Sequence, residues 1–148
     1  MRRRFLAFAV LTGIVVLGLA SLAFGSSQSS MKFKAALNIG QEVPHPKGVA
    51  AGASGSFRAT LTGTTLKWTL TFAHLSGPAS AAHIHMGVKG KPGAVLLPLC
   101  GPCKSPVSGT ATVTQAEITA MGARKTYVNV HTAKNPNGEI RGQITRAT

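Results

Sequence analysis

The sequence has 148 residues, with 16 Lys and Arg set against 3 acidic residues, for a formal net charge of +13. Its acids are Glu42, Glu117 and Glu139, which gives a paired-carboxylate hydrolase little to work with. The cations are scattered singly and aromatics are few, which argues against nucleic-acid binding and for a solvated surface with loose affinity for an anionic envelope.

Read from the start, Met1 and Arg2 to Arg4 form a basic segment, and Phe5 to Phe24 follow without a charge. Ser21-Leu22-Ala23 or Ala23-Phe24-Gly25 then offers a small-x-small cleavage site. This is the layout of a secretory signal peptide, and an uncleaved membrane anchor is the alternative. Either places the remainder outside the cytoplasm: periplasmic, secreted or membrane-anchored, with the membrane reached only through residues 1–25. The arginine run also fits a twin-arginine leader loosely, and no Cys follows the apolar run to carry a lipid. Residues 26–30 read as a small polar linker and 31–148 as one domain without internal repeats.

From Met31 onward the apolar period is two. Phe33, Ala35, Leu37 and Ile39 alternate with Lys32, Lys34 and Asn38, as in a half-buried strand. Phe57, Ala59 and Leu61 repeat the pattern, Thr62-Gly63-Thr64 makes a turn, and Leu66, Trp68, Leu70 and Phe72 return it as a hairpin. Shorter strands are expected around Ala82–Met86, Ala94–Leu99 and Ser108–Val113. Thr114 with Glu117 forms a capping box, opening a short helix that runs to about Met121 and stops at Gly122. Tyr127–Thr132 and Glu139–Thr145 form a last hairpin, joined through Asn135-Pro136-Asn137-Gly138 as a type I turn. The expected fold is all-β: an antiparallel Greek-key β-sandwich or barrel with one short helix, besides the N-terminal signal or anchor helix.

Three of the five histidines have informative positions. His83 and His85 flank Ile84, so both leave one face of a strand while Ile84 enters the core. His131 has the same relation to Val128 and Val130, and Glu139 and Arg141 take the matching face of the partner strand. A His-x-His pair on a strand separates its Cα atoms by about 6–7 Å, close enough to straddle one ion. Imidazoles suit copper and zinc, and His131 would complete a three-ligand set. The plainer alternative is a polar cluster hydrogen-bonded beneath the Gly-rich segment Gly87–Gly93 and binding nothing. His45 and His74 lie in loop-like contexts.

Cys100-Gly101-Pro102-Cys103 reproduces the thioredoxin tetrad by letter, but no helix follows to stabilise a thiolate. In an oxidising compartment, a local disulfide between Cys100 and Cys103 is the expectation, and a pair of soft metal ligands is the alternative.

The segment Ala82-His83-Ile84-His85 and its Gly-rich loop resemble the CHRD domain, named from chordin. So do Gln41-Glu42-Val43-Pro44 and Tyr127-Val128-Asn129-Val130-His131-Thr132 through Asn135-Pro136-Asn137-Gly138-Glu139-Ile140-Arg141-Gly142-Gln143. The resemblance covers Lys32 to Ile144 and implies an immunoglobulin-like module of bacterial exported type. Copper/zinc superoxide dismutases are similar in a second respect. They too hold copper by His-x-His on one strand and a later Val-His, but no histidine lies between His85 and His131 to act as the bridging ligand.

The leading functional expectation is therefore a non-enzymatic extracytoplasmic binding or adhesion module. Its partner would be an anionic cell envelope or another extracellular protein, and not nucleic acid. The alternative is a copper- or zinc-binding protein using His83, His85 and His131, with superoxide-dismutase-like redox chemistry as a remote extension.

Overall fold

The computed structural model describes residues 29–49 and 51–147. The leader, with its expected signal or anchor helix, lies outside the described residues. Among the described residues no helix is long and apolar enough to cross a membrane.

The described residues are all-β and antiparallel, with one short α-helix, as the two-residue periodicity requires. The strands are β1 (Ser30–Asn38), β2 (Ser54–Thr62), β3 (Thr65–Ala73), β4 (Ala79–Met86), β5 (Val95–Cys100) and β6 (Val107–Thr112). Helix α1 (Gln115–Gly122) follows, then β7 (Thr126–Thr132), β8 (Ile140–Gln143) and the two-residue β9 (Thr145–Arg146). The order across the sheet is β5-β4-β7-β8-β1-β2-β3-β6, with β9 also on β1.

Two halves meet at a narrow junction, because β8 pairs with β1 through the single position Asn38↔Arg141. The chain crosses between the halves after β3, after β5, through α1 after β6, and again after β8. The apolar faces of both halves share one core. Phe33 and Leu37 of β1, Phe57 and Leu61 of β2, and Leu66 and Leu70 of β3 pack with Ile84, Val128, Val130 and Ile140 from the other half. Burial of that shared face is the main stabilising term, at roughly 25 cal/mol per Å² of apolar surface.

Local signals act as their chemistry dictates. Thr114 and Glu117 close a reciprocal capping box at the start of α1. The turn after β7 is hydrogen-bonded from Gly138 N–H to the Asn135 carbonyl at 3.1 Å. Cys100 and Cys103 are disulfide-bonded. Their loop links β5 to β6, the two edge strands of the sheet, and Cys103 joins the core.

One expected strand differs. The run Glu139–Thr145 breaks at Ile144, whose N–H donates to the Thr126 carbonyl at 3.0 Å. Before the break it pairs with β7, and after it Thr145 and Arg146 pair with β1. Ile144 is fully buried between the two layers, and its alternation with Ile140 hides this change of partner in the sequence.

A three-histidine cluster on the face opposite the core

The face of β4, β7 and β8 turned away from the core carries the polar residues. Register places them in rows: Ala81 is opposite His131, His83 opposite Asn129, and His85 opposite Tyr127. On the other side of β7, Asn129 is opposite Arg141 and Tyr127 opposite Gln143. Pairing of β4 with β7 thus brings together side chains 42 to 50 positions apart in the chain, because facing residues lie about 5 Å apart.

The three imidazoles converge. Each offers a ring nitrogen, and these atoms lie within 4.8 Å of one another. Ring centroids are 4.9 Å apart for His83 and His131, 5.5 Å for His83 and His85, and 6.0 Å for His85 and His131. His83 is half-buried, whereas His85 and His131 are each 8% exposed.

Backbone carbonyls fix the tautomers. His131 Nδ1 donates to the Pro136 carbonyl at 3.0 Å, and His85 Nδ1 donates to the Gly93 carbonyl at 2.9 Å. Both rings therefore turn a lone pair on Nε2 toward the cluster. His131 Nε2 accepts from His83 Nδ1 at 3.0 Å. His85 Nε2 is enclosed and has no partner among the described residues. Burial depresses the pKa of His131 to about 4, helped by the nearby His83 and opposed by the Pro136 hydrogen bond. Burial, then the neighbouring His85, lowers that of His83 as well. Neutral imidazole, the form that ligates metals, is thus the resting state of this pair.

A second layer holds the rings in place. Tyr127 stacks on His85 with centroids 5.0 Å apart and planes 10° from parallel. The guanidinium of Arg141 covers the other face of Tyr127, 3.4 Å from its centroid. Arg141 Nη2 also donates to the carbonyls of Val88 and Lys91, pinning the Gly87–Gly93 loop over the site. Gly93 N–H donates to the Tyr127 hydroxyl at 3.2 Å, closing the circuit back to the carbonyl that aims His85.

Glu139 and Arg141, assigned by strand parity to the same face as the histidines, are not open to solvent there. They are 0% and 1% exposed, roofed by loops, and they belong to separate networks. Glu139 takes hydrogen bonds from Ser76, Thr132 and Asn135. Burial alone would raise its pKa, but these donors outweigh it and hold the carboxyl below its ordinary range. The charge near Arg141 is instead Glu42, whose carboxyl is raised by burial although the Val43 N–H, Arg141 and Asn129 work against the shift. Cys100 and Cys103 stand apart from the histidines, since Cys100 pairs with the core-facing Ala82. Parity also places Tyr127 and Asn129 on the histidine face, a signal present in the sequence but masked by their mixed polar and apolar character.

No curated protein and no solved structure matches this chain. The family model of the CHRD domain matches residues 33–144, a span that includes every residue of the cluster and its supporting layer. The chain therefore belongs to the CHRD domain family.

Proposed function

We propose that this CHRD module works outside the cytoplasm as a binding protein for one transition-metal ion, Cu(II) or Zn(II), held by His83, His85 and His131. One observation carries the reading. Among the described residues His85 Nε2 is buried without a partner, in a cluster whose three imidazoles bring ring nitrogens within 4.8 Å of one another. A buried acceptor left unpaired costs about 1–3 kcal/mol, and an entering cation supplies the missing partner.

The chemistry of the donor set fits. Three imidazoles with Nδ1 or Nε2 available suit zinc and copper and do not suit the oxygen-seeking calcium or magnesium. Around a tetrahedral ion with bonds of about 2.0–2.1 Å, neighbouring nitrogens stand roughly 3.3 Å apart. The present separations, up to 4.8 Å, close to that by small ring rotations. His83 Nδ1 must release its hydrogen bond to His131 and present a lone pair instead, which moving its proton to Nε2 achieves. The basic leader supports an extracytoplasmic location, and the lack of a paired-carboxylate or nucleophile set supports a binding rather than a hydrolytic role.

The test is calorimetric titration of tag-free protein, residues 29–148, with Cu(II) and Zn(II), alongside the H83A/H85A/H131A triple variant. One-to-one uptake lost in the triple variant supports the proposal. Equal uptake by both proteins, or none by the parent, leaves the histidines as a structural polar cluster.

A further inference from the structure

We infer that Asn129 belongs to the same centre, its side-chain oxygen serving as a fourth, neutral donor on the buried side; this rests on the three-histidine reading above. Asn129 lies directly opposite His83 on the paired strand and two positions before His131, on the same face as both. It is 2% exposed, and its Oδ1 is enclosed with no hydrogen-bond partner among the described residues.

The orientation of the amide is set from its other end. Asn129 Nδ2 and Glu42 Oε2 crowd one point, standing 2.8 Å and 2.4 Å from where a side-chain carbon on Gly138 would be. Amide nitrogen beside carboxylate is the favourable arrangement, so the oxygen is the branch turned away from Glu42. His85 Nε2 and Asn129 Oδ1 are thus both enclosed acceptors left unpaired among the described residues, on neighbouring strands of this face. A single bound cation satisfies both. An amide oxygen is a weak, uncharged ligand, of the kind that tunes a copper site without dominating its affinity.

A crystal structure of the zinc-loaded parent protein tests this directly. The expected result is Oδ1 about 2.0–2.2 Å from the ion. An ion held by imidazoles alone, with Oδ1 bridged through water to the unpaired Arg141 Nη1, overturns the inference. In solution, N129L should weaken metal binding about 10-fold, and N129D should tighten it and change the copper hyperfine coupling in electron paramagnetic resonance. If H131A abolishes binding while N129L and N129D bind like the parent, the histidine site stands and the role of Asn129 falls. If the parent binds neither metal, both fall together.

Discussion

Tyr127 lies flat against His85, with ring planes 10° apart, and Arg141 covers its far side. This column, together with the loop that Arg141 pins, keeps one imidazole in a single orientation. Tyr127→Phe preserves the stack and loses the bond from Gly93 N–H, whereas Tyr127→Leu loses both. We expect metal affinity to fall modestly in the first and about 10-fold or more in the second, read by competition with a chromophoric chelator. Equal affinity in both variants would remove Tyr127 from the supporting layer.

The roof over the site depends on a residue without a side chain. A Cβ on Gly93 would meet the Met86 carbonyl oxygen at 1.6 Å, so no other residue fits without moving the loop. Gly93→Ala should lower stability by about 2 kcal/mol or more in urea unfolding and also reduce metal uptake, since its carbonyl aims His85. A variant as stable as the parent would show that the loop relaxes freely.

Acid should weaken the metal-free protein in a defined window. His131 ionises at about 4 in the fold against an ordinary value of 6.5, so between these limits the unfolded chain binds more protons. Its contribution is therefore complete above pH 6.5 and is lost progressively as pH falls toward 4. The loss amounts to about 3 kcal/mol, and the lowered His83 adds in the same direction. Chelator-treated protein, unfolded in urea at a series of pH values, should show this slope, and His131→Gln should flatten it. An unchanged slope in the variant would assign the acid sensitivity elsewhere.

Glu139 ties the turn after β7 to Ser76 in the loop before β4. Its lowered pKa means that its contribution is present above the ordinary carboxyl range and is lost as pH falls through the folded value. Glu139→Gln keeps the shape but weakens four charge-assisted hydrogen bonds, and should cost about 1–3 kcal/mol at neutral pH. A neutral substitution would mean that the loop is held by other contacts.

The disulfide is expected to act on stability alone. Closing a four-residue ring stabilises by about 2 kcal/mol on the chain-entropy account. The C100S/C103S variant should lose about that much while taking up copper or zinc as before, because Cys100 aligns with the core-facing Ala82. Loss of metal uptake in this variant would bring the cysteines into the site.

Two-residue alternation made the strands, their buried faces and the parity of the three histidines legible in the sequence. Convergence was not legible, because it depends on β4 pairing with β7 in one register, and these strands are separated by β5, β6 and α1. Parity told that Glu139 and Arg141 leave the core face but not that loops from elsewhere would cover them. A clue lay in the scarcity of acids: with three in the domain, a carboxylate is free to be structural rather than a solvated charge. The break at Ile144 was hidden because Ile140 and Ile144 keep their spacing across a change of neighbouring strand.

Seven matched positions zip β4 to β7 along nearly their whole length. A basin built on such a seam has its shape while still empty, so a guest arriving there would shed its hydration water without asking the chain to fold. Loading and unloading would then be governed by passage beneath the roof, leaving the vessel intact after the guest departs.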